Sequence, residues 1–521
     1  MSKRIEWVLL ALILAVGARL RFSHLDLLEF QGDEAYAANL ALDFVKHGKL
    51  PTAGLMSSVG VTNPPLFIYL LIPMFAINSS PVFVSGCIAL LGLSAVAMTW
   101  HIGRKYYGTM AGLVAAAFFA VSPWAVIYSR KIWAQDFVPV FATATIWAVH
   151  AVVFGKKPKA VFWCVLLPLC VVQIHFSGLA LTAAVMAILA WLRPKMDWRF
   201  AVAGLAAVTV VMLPYLQLQN ATGWADFKQA RQAMGGNQQW EQLNGVTTHP
   251  ITGYRLPSRE YLSYALAIMN AGRIEDVLGI AAGKEFDRAN VWAAHGRKYF
   301  ESPADWILLA QRVAFVAALV WLTVLAVKSR MRSAEAILVL WLVVPVAVFF
   351  VTGLWTYLTY FAILFPVHFL ACGAATQNIK KPVVVLAVAG VLAAANVWYM
   401  LDYYRFVGAS GGAQGTFGTA LGHKIEAAKF LAERGGVKLR ADSDAQLAGK
   451  PNVQSPALVE LNHEGKPELP QLEWPWLITQ QPVGAGELGT VVLLDGNRAA
   501  AMPAQKPDTN FGPIKLYFVK Q

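Results

Sequence analysis

Long apolar runs recur along this chain, separated by short loops that carry most of its charge. A helix that crosses a bilayer needs about 20 mainly apolar residues. By that measure the pattern predicts about eleven spans, near 5–22, 81–103, 109–127, 137–154, 160–176, 178–192, 199–217, 305–327, 334–352, 357–376 and 382–401. Between the first two, Glu34–His47 has helical spacing and Pro64–Phe75 is apolar but short. Both suit helices lying in the interface plane, one face in lipid and one in water.

The loops alternate. Lys3/Arg4, Arg104/Lys105, Lys156/Lys157/Lys159, Arg193/Lys195/Arg199, Lys328/Arg330/Arg332 and Lys380/Lys381 all fall on one side if the N-terminus is cytoplasmic. Basic residues collect on the cytoplasmic side of membrane proteins, so this alternation predicts the orientation. The opposite side then receives a loop at 23–80, a turn at 128–136, a tight turn at His175–Gly178, a long loop at 218–304 and the tail from 402. The tail changes character. Residues 422–436 read as an amphipathic helix, and the stretches at 490–496 and 514–521 as strands. The expected organisation is a helical membrane domain over 1–401 and a small soluble α/β domain over 402–521, exposed on the outer face.

Composition agrees with a polytopic α-helical membrane protein. The chain of 521 residues is 57% hydrophobic, with a mean hydropathy of +0.50. A formal charge of +13 could suggest nucleic acid, but the basic residues sit in short loops between apolar runs, so no nucleic-acid partner is expected. Cys87, Cys164, Cys170 and Cys372 lie inside apolar stretches and form neither a metal pattern nor a disulfide framework. Lys3 and Arg4 before an apolar run resemble a signal peptide. Gly17-Ala18-Arg19 is a poor cleavage site, so an uncleaved first helix is expected.

Several polar residues then stand out on the outer side. Asp33 and Glu34 follow the first span, with Gly32 before them and Tyr36 about one turn on. A carboxylate at the membrane boundary can act as a general base or a cation ligand, or it can simply favour the positive end of a helix. Asn63 precedes a proline pair that sets a helix start. Arg130 and Lys131 sit on the outer side against the general charge bias, and Asp136 opens the next span. They form either an Arg130–Asp136 ion pair closing a turn or a cationic phosphate site with a carboxylate aimed at it. His175 stands at the outer end of a span, and Arg19 and Arg21 near the outer end of the first, where snorkelling to headgroups is the default. In the 218–304 loop, Trp224, Trp240, Tyr254, Arg255 and Arg259 are more than a connector requires.

These motifs carry a resemblance. A first span, then "GDEAYAANLALDFVKHG", "NPPLFIYLL", "GRKYYG" and "SPWAVIYSRKIWAQDFVPVF", is similar to the GT-C membrane glycosyltransferases over about residues 1–150. The protein O-mannosyltransferases and the lipid A aminoarabinose transferases are the nearest groups. The resemblance implies a sugar donor on a polyprenyl phosphate such as undecaprenyl phosphate, inversion at the anomeric carbon, and an acceptor hydroxyl on a lipid, glycan or protein. It also implies a bacterial inner-membrane location. It makes Asp33 the catalytic or cation-linked carboxylate, with Glu34 beside it and Asp136 opposite. A divalent cation held by Asp33 and Asp136 is an open expectation. Tyr36, Asn63, Arg130, Lys131, His175, Arg255, Arg259 and Tyr360 become candidates for binding the substrate and its phosphate. Two departures stand out. Lipid A relatives often carry Lys or His where this chain has Asn63. Where relatives have an Arg-Tyr pair, this chain has Thr359-Tyr360, so the charge falls to Arg130 or to Arg255, Arg259 or Arg273. Rival readings are an oligosaccharide ligase or oligosaccharyltransferase on the same scaffold, and a transporter. A transporter favours inverted repeats and charge at the bilayer midplane, and the sequence displays neither.

Overall fold

The computed structural model describes residues 2–30, 32–57, 61–234, 303–352, 358–410, 412–413, 418–434, 437–441, 458–459, 489–494, 507, 509–512 and 514–518. Most of the 218–304 loop, including Trp240, Tyr254, Arg255, Arg259 and Arg273, lies outside the described residues.

The apolar runs are helices: α1 (Lys3–Phe22), α4 (Pro81–Tyr106), α5 (Thr109–Val121), α6 (Pro123–Ile127), α7 (Ala134–Val153), α8 (Val161–Ile174), α9 (Gly178–Leu192), α10 (Trp198–Ala221), α12 (Pro303–Lys328), α13 (Ala334–Thr352), α14 (Phe365–Ala374) and α15 (Pro382–Ser410). The two short outer segments are α2 (Gly32–His47) and α3 (Leu66–Ile77), and α11 (Ala225–Met234) follows α10. Among the described residues, five helices are long and apolar enough to cross a membrane on their own, within α4, α7, α10, α12 and α15.

The pattern blurred some boundaries. The run at 109–127 is two helices, because Pro123 cannot donate to the ladder and starts α6 afresh after Ser122. The run at 357–376 opens with a tight 3₁₀ turn, Leu358–Leu364, before α14. α15 continues past 401 to Ser410.

Apolar side chains face outward as well as inward. On α10, Trp198, Val202, Leu205, Val210 and Leu213 form an exposed stripe at helical spacing. Lipid tails are the solvent that such a stripe suits. Between helices the contacts are close. A Cβ on Gly103 of α4 would stand 2.7 Å from the Cα of Gly112 on α5, so only small residues let these backbones meet.

Contacts sort the loops to two ends. At one end Arg104 pairs with Glu6 at 2.5 Å, Tyr107 Oη donates to Ala334 O, Asp197 N to Pro158 O and Trp191 Nε1 to Met331 O. The basic loops of the alternation share this end. The other end gathers residues 23–30, 128–133 and the start of α16 (Leu421–Arg434).

In the tail, β1 (Gly412–Ala413) and β2 (Gly418–Thr419) form a small hairpin. A second sheet follows, of β3 (Val437–Ala441), β4 (Leu458–Val459), β5 (Gly489–Leu494), β6 (Thr509–Phe511) and β7 (Ile514–Phe518), in the order β4-β3-β5-β7-β6. β3 and β5 are parallel, and the other pairs are antiparallel.

Candidate active site

The turn between α6 and α7 builds the centre of the site. Ser129–Trp133 cannot continue α6, and its amides need partners. Asp136, in the first turn of α7, supplies them: its Oδ2 accepts from Arg130 N (3.1 Å) and Lys131 N (2.9 Å). The turn is therefore closed by backbone amides and not by the side-chain ion pair that the sequence left open. Asp136 Oδ1 is buried and has no hydrogen-bond partner.

Closing the turn this way sends its two cations apart. The Arg130 guanidinium donates to Ser23 O (2.6 Å) and His24 O (2.8 Å) and meets the Tyr404 hydroxyl from the end of α15. It is buried, with both terminal nitrogens engaged by these groups and Nε without a hydrogen-bond partner. Lys131 turns toward the acids: its Nζ lies 2.8 Å from Glu29 Oε2 and 2.9 Å from Glu34 Oε1. It also sits 4.4 Å from the ring centre of Trp133, and Tyr128 bridges Trp133 to a stacked Trp124. Burial works to lower the Lys131 pKa, but Glu29 and Glu34 outweigh it and hold the ammonium well above its ordinary value.

Asp33 is different. α2 begins at Gly32, so Glu34 is turned into the protein and Asp33 out toward solvent. Among the described residues the Asp33 carboxylate has no hydrogen-bond or ion-pair partner. Protein crowding around it, and then the charge of Glu34, push its pKa above the ordinary carboxylate value, while Lys131 pulls it back. The result is a free carboxylate of raised basicity beside a fixed cation.

The other candidates fall into local networks. Asn63 is buried in the hairpin around residues 54–63: its Nδ2 donates to Leu55 O at 3.0 Å, and its Oδ1 has no partner. Asp226 in α11 ties this hairpin to α10 by accepting from Thr62 N, Tyr215 Oη and Gln219 Nε2. The His175 ring packs edge-on against Tyr360, with centres 4.5 Å apart. Ser177 N donates to His175 Nδ1 at 3.1 Å, which puts the ring proton on Nε2. Burial holds the His175 pKa down to about 4, so the ring is neutral near neutrality. Tyr36 is half-buried against the core.

One expectation needs correction. Arg21 does not snorkel. It is fully buried, and its guanidinium donates to Ala120 O (2.7 Å), Phe119 O (3.1 Å), Ala125 O (3.4 Å) and Gly17 O (3.3 Å). The break at Ser122 frees carbonyls of α5, and Arg21 answers them. For the possible cation between Asp33 and Asp136, which stays an open expectation, Asp136 Oδ1 is the oxygen left without a hydrogen-bond partner. The Asp136 oxygen that faces the turn is taken by two amides, and no group of three His, Cys, Asp or Glu side chains gathers to hold a metal among the described residues.

Sequence reasoning missed Glu29, Trp133, Tyr404 and Lys424. Glu29 lies only four residues before Asp33, and that spacing was the available signal.

No protein-family model matches the chain, and no curated protein matches it. Solved structures do. The chain is similar to ArnT from Cupriavidus metallidurans bound to undecaprenyl phosphate, with a TM-score of 0.54 at 10% identity over 98% of this chain and 97% of that one. This chain has the fold of that ArnT. The apo state of the same ArnT gives a TM-score of 0.55 at 11% identity, over 99% of this chain and 98% of that one. The likeness of fold therefore extends over nearly the whole chain, well beyond the first 150 residues that carry the sequence motifs.

Proposed function

We propose that the chain is an inverting glycosyltransferase. It moves one sugar from a polyprenyl phosphate, undecaprenyl phosphate in the first instance, to an acceptor hydroxyl at the periplasmic face of a bacterial inner membrane. The observation that carries this reading is the unpartnered Asp33 carboxylate beside Lys131, at the end of the bundle opposite the basic loops. The GT-C fold, shared with a protein bound to undecaprenyl phosphate, supports it.

The chemistry follows from the residues. The lipid tail stays in the bilayer, and the phosphate reaches only the boundary. Asp33 takes the proton of the acceptor hydroxyl as its oxygen attacks the anomeric carbon. The bond from that carbon to the phosphate oxygen breaks, and its electron pair leaves with the polyprenyl phosphate. A phosphate ester leaves readily, so no strong general acid is required. Lys131, shared between Glu29 and Glu34, turns part of its charge to the departing phosphate. Asp136 Oδ1 is an acceptor for a further substrate hydroxyl. Tyr36, Asn63, His175 and Tyr360 remain candidates for the walls of the site, and Arg255 and Arg259 for a cover.

The test is purification of the wild type and Asp33→Asn in lipid nanodiscs, identification of the co-purifying lipid by mass spectrometry, and measurement of its turnover. The expected result is that Asp33→Asn keeps the lipid and loses about 10²–10⁴-fold in turnover, as for a lost general base. Turnover at the wild-type rate would overturn the assignment.

A further inference from the structure

The acid that completes the Lys131 site is gripped by the tail. Glu29 lies on the segment Leu28–Phe30, and the start of α16 holds that segment at each residue. Leu421 N donates to Leu28 O at 2.7 Å. Glu29 and Ala420 form an antiparallel bridge. Lys424 Nζ donates to Phe30 O at 2.9 Å, and Lys424 is buried. Two residues before Lys424, a Cβ on Gly422 would come within 3.3 Å of Asp26 O and Cβ, so the helix start lies flush on the loop.

A surface helix has little reason to bury a lysine. Ionised side chains are expensive to bury unless something meets the charge. Here the ammonium is aimed at the backbone next to Glu29, and its charge acts on Glu29 in the direction opposite to burial. The local geometry gives a consequence. A carboxylate held by backbone contacts on both sides cannot follow Lys131 if Lys131 moves. Glu29 then acts as a fixed post against which Lys131 is held.

We infer that Lys424 is a positioning residue for the Lys131 site, and that Ala420–Lys424 is the clamp by which the C-terminal region sets Glu29 against Lys131. This gives the tail a part in the chemistry without contact with substrate. It rests on the proposed function only for its second readout.

The first readout needs no substrate. Full-length protein in nanodiscs is treated with an amine-acylating reagent, and the modification rate of Lys131 is followed by peptide mass spectrometry against exposed Lys49 as internal reference. In the wild type Lys131 is protected by two carboxylates. Lys424→Met removes the clamp's charge and donor, and Lys131 should acylate severalfold faster, with the Lys49 rate unchanged. Lys424→Arg should restore most of the protection. The deciding variant is the double one. Contacting residues that act through one another are not additive. In a Glu29→Gln background, Lys424→Met should add nothing further.

The second readout is binding of undecaprenyl phosphate to the same five proteins, wild type, the three single variants and the double one. It should weaken in Lys424→Met and be restored in Lys424→Arg, with the same lack of additivity. Protection of Lys131 that is unchanged in Lys424→Met overturns the inference. So does an effect of Lys424→Met that persists in full when Glu29 is already Gln, since that would be a general loosening of α16. If acylation responds as stated but lipid binding does not, the clamp stands and it is the phosphate role of Lys131 that fails.

Discussion

The two ends of the helical bundle handle charge in opposite ways. At the end that carries the basic loops, Lys156, Lys157, Lys159, Arg193, Lys195, Arg199, Lys328, Arg330, Arg332, Lys380 and Lys381 are exposed to solvent. Lys159 lies over the Phe200 ring, 5.3 Å from its centre. At the opposite end, Arg21, Arg130, Glu34, Asp136 and Lys424 are buried and each has specific work. Arg21 and Arg130 satisfy carbonyls that helix breaks leave open, Asp136 satisfies amides, and Glu34 shares Lys131. Charge that only orients a protein can stay in water. Charge that holds broken helix ends together is buried and answered there, whereas Asp33, the proposed base, stays exposed and unanswered.

The comparison can be broken at its strongest point. Asp33→Asn should abolish turnover, by the 10²–10⁴-fold argued above, yet leave the fold intact, because Asp33 holds nothing in place. Its pH behaviour sharpens this. The Asp33 carboxyl is raised above the ordinary carboxylate value, so as a base it should lose activity as pH falls through that raised value. Stability runs the other way. The folded state holds the proton more tightly than the unfolded one, so this group's contribution falls as pH rises from the ordinary value through the raised one. Thermal unfolding of Asp33→Asn across that window should therefore lack this slope.

Lys131→Met should fail on both counts. It removes the shared cation and leaves Glu29 and Glu34 without it. Breaking a buried pair costs about 3–5 kcal/mol, and the slight exposure of Lys131 places the loss near the low end. Denaturation in detergent, with undecaprenyl phosphate binding measured beside it, checks both effects. Arg21→Met should cost about 1.5–3 kcal/mol, the scale of hydrogen bonds to a charged group, with turnover per folded molecule preserved. That outcome would separate buried charge that supports the fold from buried charge that serves the reaction. The smallest effect belongs to the basic end. Lys328→Gln should change stability by less than about 0.5 kcal/mol and leave turnover unchanged.

The sequence carried the fold unevenly. Apolar length located the helices, since a lone segment across a bilayer satisfies its backbone groups only as a helix, the alternative being a closed barrel of much shorter strands. It could not show where α5 stops, because Phe118–Ile127 is apolar on both sides of Ser122 and only Pro123 hints at the break. Asp33, Glu34, Lys131 and Asp136 stood out as polar residues in apolar surroundings. Their roles did not. Whether Arg130 or Lys131 turns toward the acids depends on carbonyls at Ser23 and His24, about a hundred residues away in the chain. The clamp on Glu29 comes from Lys424, 394 residues beyond the carbonyl it holds. Such partners meet only through packing, which no local pattern encodes.

The central claim is that the end of the bundle holding Lys131 receives a polyprenyl phosphate. Native mass spectrometry of undecaprenyl phosphate bound to the wild type, Asp33→Asn and Lys131→Met, each confirmed as folded, tests it most directly. The account predicts binding by the wild type and by Asp33→Asn at similar affinity, and a large loss in Lys131→Met. Equal binding by folded Lys131→Met, or no binding by the wild type, would contradict it.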